Sequence, residues 1–114
     1  MLTVNWKSMP RTNDRKSSLM DFKTFEQSLK NDQPPAGIPA GLKALWWDGK
    51  NNWQKAHQVA QEIKTADGAW VHAYLHRKEG DQGNAGYWYS RANKPKGSLS
   101  LAEEWAEIVK AFLA

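Results

Sequence analysis

The stretch from Ala69 to Ala92 constrains the fold of this 114-residue chain more than any other part of the sequence. Its residues, AWVHAYLHRKEGDQGNAGYWYSRA, predict two short helices that fold back on each other around a break at Gly80-Asp81. The first helix is rich in aromatic residues and histidine, and the second is centred on a Tyr-Trp-Tyr run. The other segments are expected to pack against this hairpin or to repeat it.

The seven tryptophans of the chain favour an all-α fold. Each indole can bury about 150–250 Å² of surface, so a few rings replace many aliphatic side chains. Isoleucine and valine, which favour strands, are scarce. A chain of this length can also bury roughly 65% of its unfolded surface as one domain. We therefore predict a single all-α domain of five or six helices, with two central antiparallel hairpins and packing helices at both ends.

The first half of the chain is divided by capping and breaking residues. Residues 1–16 are polar and are predicted to form an N-terminal arm that precedes a helical domain of residues 17–114. Ser17 or Ser18 can cap a helix over residues 19–30. Prolines interrupt residues 31–39, where Pro39 suits the first turn of a helix that ends near Asp48-Gly49. A hairpin over residues 41–64 follows from these boundaries.

Similar signals divide the second half. Asn51 or Asn52 can cap the second helix of that hairpin. Asp67 and Gly68 are expected to form the turn before the central hairpin of residues 69–95. A loop then leads to a C-terminal helix over residues 100–113, because Ser100 and Glu103 match the capping box.

The two hairpins resemble each other in sequence. Sliding the chain by 29 residues places Ala44 on Ala73 and Ala56 on Ala85. Small residues at these positions let paired helices approach closely. Together with the Gly80-Asp81 turn and the YWYSRA ending, this pattern resembles tetratricopeptide and Sel-type helical repeats over residues 41–95. An ordinary helical bundle is the alternative, since tight hairpins generally need small contact residues.

The resemblance implies a scaffold that binds a protein or peptide in a concave groove. The first helix of each pair would line this groove. Aromatic and arginine side chains are common in binding hot spots. The residues carried over to this face are Trp70, Tyr74, Arg77, Lys78, Leu45 and Asp48.

The histidines offer a different interpretation. His72 and His76 lie four residues apart on one predicted helix, so their rings project from the same face. Glu79 extends that row, and His57 joins it if the hairpins pack in sequence. These four side chains match the ligand types of a zinc or iron site. The alternative is that the histidines are structural contacts to tryptophan or to the backbone.

Composition bears on partners and location. The chain has no cysteine, which excludes disulfides and thiolate metal sites and fits a cytoplasmic location. No apolar run of membrane-spanning length and no signal peptide is expected. The basic residues are interspersed with acidic ones, so we do not expect a nucleic-acid partner. The apolar stripe of the C-terminal helix predicts a core-facing surface or a homodimer contact.

From the sequence, the favoured function is a small protein- or peptide-interaction module without enzymatic activity. The alternative is a ligand- or metal-binding protein lined by histidines, which could include an enzyme. No phosphate-binding loop and no nucleophile motif is present.

Overall fold

A computed structural model describes residues 20–114 of the chain, and these residues form helices without strands. The order is α1 (Phe22–Gln27), a 3-10 turn (Ser28–Lys30), α2 (Ala40–Gly49), α3 (Trp53–Gln61), α4 (Ala66–Lys78), α5 (Gln82–Ala92) and α6 (Leu101–Leu113). The all-α prediction is therefore confirmed for this part of the chain. The predicted arm over residues 1–16 lies outside it.

The first helix is shorter than predicted. It begins at Phe22, and its N-cap is Asp21, whose Oδ1 accepts a hydrogen bond of 2.8 Å from the Thr24 amide. After Gln27 the chain tightens into the 3-10 turn, where the Ser28 hydroxyl donates to the Phe25 carbonyl. That hydroxyl also accepts from the Trp46 indole. The predicted caps, Ser17 and Ser18, lie outside the described residues.

Consecutive helices pack in two pairs, α2 with α3 and α4 with α5. The alanines that the sequence comparison aligned, Ala44, Ala56, Ala73 and Ala85, are each at most 1% exposed. Asn52 caps α3 by accepting from the Lys55 amide. Between α4 and α5, Gly80 adopts a left-handed backbone with φ of +91°. The tetratricopeptide or Sel-type arrangement itself stays a prediction.

The predicted turn at Asp67-Gly68 is wrong. Helix α4 begins at Ala66, three residues before the predicted start of this hairpin, and Thr65 is its N-cap. Asp67 therefore lies in the first helical turn, where a negative charge interacts favourably with the helix dipole. Gly68 is required there for close packing, because a Cβ atom would lie 2.5 Å from the Ile63 carbonyl oxygen.

Helix α6 packs across α2 and α4. The Trp105 indole donates to the Leu45 carbonyl at 2.9 Å, and Ile108 and Val109 are fully buried. Ser100 and Glu103 form the predicted capping box. The apolar stripe of α6 therefore faces the core, and a homodimer through this helix stays a prediction.

Helices long and apolar enough to cross a membrane are absent from residues 20–114. The cytoplasmic location stays a prediction.

Candidate metal centre

All three histidines of the chain meet where α3 packs against α4. His57 lies on α3, and His72 and His76 lie one turn apart on α4. Each ring offers one nitrogen to a group whose members are all within 4.8 Å of one another. The Nε2 atoms of His57 and His72 are 2.8 Å apart, which is hydrogen-bonding distance. The predicted convergence of the three imidazoles is thus present in the fold.

Two indole rings hold the imidazoles in place. Trp88 of α5 stacks on His72 with ring centroids 4.1 Å apart and an interplanar angle of 13°. Trp53 of α3 stacks on His57 at 4.9 Å, also at 13°. The Trp53 indole is itself fixed by a 2.8 Å hydrogen bond to the Leu75 carbonyl. The histidine orientations are therefore set by packing and not only by their mutual contacts.

Glu79 lies beside the cluster and contacts it through His76. Its Oε2 is 2.7 Å from Nδ1 of His76, and it forms a second group of potential ligands with His76 and Asp81. When His76 Nδ1 carries a proton, it donates to this carboxylate and leaves Nε2 free as a ligand. Glu79 was predicted as a fourth ligand, but its contact is suited to orienting His76.

Burial keeps two of the imidazoles neutral at pH 7. It lowers the pKa of His72 to about 4, with further contributions from His57 and His76. Burial, and then the charge of His76, also lowers the pKa of His57, although Glu79 opposes this change. A neutral imidazole has one nitrogen with a free lone pair, so one of the two hydrogen-bonded Nε2 atoms carries a proton in the metal-free protein. Both Nε2 atoms can bind a cation once that proton moves to Nδ1 of the same ring.

The spacing of the nitrogens is close to what a single ion requires. Zinc binds histidine nitrogen at about 2.0–2.1 Å, which places the nitrogens of a tetrahedral site about 3.3 Å apart. The separations here range from 2.8 Å to no more than 4.8 Å. The spacing of a tetrahedral site lies within this range. His57 is half-buried and Glu79 is exposed, so the cluster is accessible from solvent.

The residues predicted for a binding groove are distributed over three places. Asp48, Tyr74 and Lys78 lie together: Tyr74 Oη donates to Asp48 Oδ2, and Lys78 Nζ donates to Asp48 Oδ1, both at 2.9 Å. Arg77 turns towards α6, where it pairs with Glu104 at 2.6 Å. Trp70 is only 7% exposed.

Helix α6 explains this distribution. It covers the face formed by α2 and α4, which would be open in the repeat arrangement that the resemblance implies. Leu45, Asp48 and Tyr74 are therefore at most 2% exposed. A cleft of about 350 Å³ remains beside it, lined by Asp48, Tyr74 and Lys78 together with residues of α1 and α6. Partner binding by these residues stays a prediction.

Sequence reasoning missed two residues of the centre, Trp53 and Trp88. Only Trp53 had a signal in the sequence, which was its spacing from His57. Trp53 lies four residues before His57, and therefore on the same helix face. Trp88 belongs to α5, so its contact with His72 depends on how α4 and α5 pack.

Comparisons with known proteins add no relative to this description. No family model, curated protein or solved structure matches the chain.

Proposed function

We propose that this protein binds a transition-metal ion through His57, His72 and His76, with zinc as the first candidate and iron as the second. The observation that carries the proposal is the meeting of all three histidines of the chain at one place, from two different helices. A third imidazole beside the His57–His72 hydrogen bond adds a further ligand nitrogen.

Three supports come from the surroundings. The stacked indoles of Trp53 and Trp88 restrict ring rotation, which lowers the entropy lost when an ion binds. The lowered pKa values of His57 and His72 keep these rings neutral and able to bind a metal. Glu79 contacts the remaining nitrogen of His76, as carboxylates commonly do behind metal-bound histidines.

The number of protein ligands bears on the role of the ion. Three histidines leave one position of a tetrahedral zinc for water or substrate, which is typical of catalytic sites and not of closed structural sites. A zinc ion held there would acidify a water in that position and so supply a nucleophile near neutral pH. Hydrolytic or hydration chemistry is the enzymatic role that such a centre supports.

The test is zinc titration of chelator-treated protein, followed by calorimetry and by metal analysis of the dialysed complex. We expect one zinc ion per chain. Each of His57→Ala, His72→Ala and His76→Ala should weaken zinc binding by at least about a hundredfold, because even outer partners of metal ligands contribute 10–100-fold. Gln58→Ala, an exposed neighbour on α3, is the matched control.

Two outcomes contradict the metal function. One is the absence of saturable binding in a protein whose circular dichroism shows intact helices. The other is wild-type affinity in all three histidine variants. The visible spectrum of the cobalt(II) form gives an independent readout, since it changes with coordination number and with ligand type.

A second candidate function is peptide binding in the cleft beside α6. Its support is that Asp48, Tyr74 and Lys78, three of the predicted partner-binding residues, line this one cleft. Ala102 lies at the cleft and is exposed, so Ala102→Arg should block it without entering the core. Peptides selected from a random library on the wild-type protein should lose affinity for this variant and keep affinity for Ala111→Arg. Equal binding to both variants contradicts the cleft.

A further inference from the structure

A cavity of about 260 Å³ lies beside the histidine cluster and shares one residue with it, His72. It is bounded by the end of α3, the start of α4 and the C-terminal half of α5. Its volume suits a small molecule. The cavity is distinct from the three-histidine group, because neither His57 nor His76 contributes to its lining.

The charge of its lining residues is one-sided. Lys64 and Arg91 supply two positive charges, and no aspartate or glutamate lines the cavity. Two other cavities in the described part of the chain have acidic residues in their lining: Asp67 lines one, and Glu26 and Asp48 line the other. Within residues 20–114, neither Lys64 nor Arg91 forms a salt bridge. No carboxylate in the described part of the chain therefore competes with an anion for these two cations.

The wall of the cavity is aromatic and ordered. Trp88 stacks on His72 with centroids 4.1 Å apart, and the guanidinium carbon of Arg91 lies 5.7 Å from the centre of the Trp88 ring. The exposed guanidinium is thus within cation–π distance of Trp88, as it is of Tyr87 at 5.8 Å. Gln61 and Thr65 add neutral polar side chains to the same lining. The combination provides charge, hydrogen-bonding groups and one flat apolar surface.

We propose that this cavity binds a small oxyanion, a phosphate or carboxylate group, through Lys64 and Arg91. Guanidinium groups bind both anions through paired hydrogen bonds, and lysine adds a point charge. The inference goes beyond the proposed metal function, because the cavity needs no ion to attract an anion. If the histidines hold zinc, the anion lies next to the metal site and is a candidate substrate or inhibitor for it.

The experiment is a titration of the ¹⁵N-labelled protein with inorganic phosphate at pH 7, monitored by two-dimensional NMR at constant ionic strength. A parallel titration uses benzoate, and both are repeated on chelator-treated and zinc-treated protein. We expect saturable shifts in the backbone amides of residues 61–69 and in the Trp88 indole. Saturation by phosphate or by benzoate supports the site, and the tighter anion identifies the preferred group.

Variants separate this site from surface charge and from the metal. Lys64→Gln and Arg91→Gln should each bind the anion about tenfold more weakly, since each removes a charge-assisted hydrogen bond. Lys43→Gln, which alters an exposed lysine of α2, should bind as the wild type does. Zinc affinity should stay within about twofold in all three, so the metal function and the anion site can fail separately. The proposal is overturned if neither anion saturates, or if Lys64→Gln and Arg91→Gln bind like Lys43→Gln.

Discussion

The Nδ1 atom of His76 and the Oε2 atom of Glu79 lie 2.7 Å apart, at the point where α4 ends. A carboxylate at this distance holds the proton on Nδ1 and so leaves the other nitrogen of the ring unprotonated and able to bind a metal. The imidazole side chain is 12% exposed, whereas the glutamate side chain is 39% exposed. Glu79 can therefore be changed without opening the core.

We expect Glu79→Gln to weaken zinc binding by about 10–100-fold and to leave the stoichiometry at one ion per chain. The glutamine keeps a hydrogen-bond acceptor but loses the charge that raises the basicity of the imidazole. Calorimetric titration measures the change, and Glu62→Gln, an exposed glutamate after α3, is the control. Wild-type affinity in Glu79→Gln would show that the carboxylate does not act on the metal site.

The metal-free protein should lose stability as the pH falls from about 6.5 to about 4. In this window the unfolded chain binds a proton at His72 that the folded chain excludes, because the folded pKa is lowered to about 4. His57 contributes in the same direction, because burial and then the charge of His76 lower its pKa. The contribution of His72 to the free energy of unfolding is therefore complete above the pKa of the unfolded chain, 6.5, and is lost as the pH falls to the folded pKa of about 4.

The size of this effect should be about 2 kcal/mol, since a pKa unit corresponds to about 1.4 kcal/mol and solvent near His57 and Glu79 reduces the full value. Urea unfolding at several pH values, with chelator present, measures it. His72→Gln should show a flatter profile between pH 6.5 and pH 4. If the stability of His72→Gln falls with pH as steeply as that of the wild type, groups other than His72 cause the pH dependence.

Glu104 should be the most sensitive acidic residue of α6. It is 2% exposed, and its carboxylate oxygens lie 2.8 and 2.6 Å from the Tyr89 hydroxyl and accept from Arg77. Burial and the hydrogen bond to Glu104 raise the pKa of Tyr89, so its hydroxyl stays a donor. Glu104→Ala removes the acceptor of the buried Tyr89 hydroxyl and of Nη1 of Arg77, which keeps only its bond to the Leu99 carbonyl, and should cost about 3 kcal/mol in the free energy of unfolding.

Chemical denaturation checks the Glu104 prediction, with Glu107→Ala on the exposed side of α6 as its control. The control should change stability by no more than about 0.5 kcal/mol. Equal losses in the two variants would mean that the buried carboxylate does not hold α6 to α4 and α5.

Two glycines in helices should respond oppositely to alanine. At Gly68 a new Cβ would lie 2.5 Å from the Cβ and carbonyl oxygen of Ile63, so Gly68→Ala should destabilise the fold by about 1–3 kcal/mol. At Gly83 the nearest atom is 3.9 Å away, and Gly83→Ala should stabilise α5 by about 0.5 kcal/mol. Thermal unfolding of both variants measures the difference, and a loss of stability in Gly83→Ala would contradict it.

The sequence predicted correctly those helix ends that depend on residues close together in the chain. Ser100 and Glu103 satisfy each other's backbone amides, and the turn at Gly80 depends on its own backbone conformation. Asp67 and Gly68 have the composition of a turn, yet Gly68 is small because Ile63 packs against it. The need for glycine at position 68 comes from its contact with Ile63, and a single sequence does not show which residues are in contact.

The site shows the same division. The spacing of His72 and His76 was enough to place them on one face, but the arrival of His57 depended on how α3 packs against α4. Glu104 lies three residues after Leu101 and four before Ile108, on the apolar stripe of α6. Its position on that stripe was the available signal that it is buried.

The candidate ligands come from α3 and α4, which belong to different helix pairs. An ion held there would join the two pairs as a removable crosslink. The lifetime of the folded chain would then follow the supply of free metal, since binding to the native state alone adds stability as the ion concentration rises above its dissociation constant. Proteases would cleave the protein faster in metal-starved cells than in replete ones.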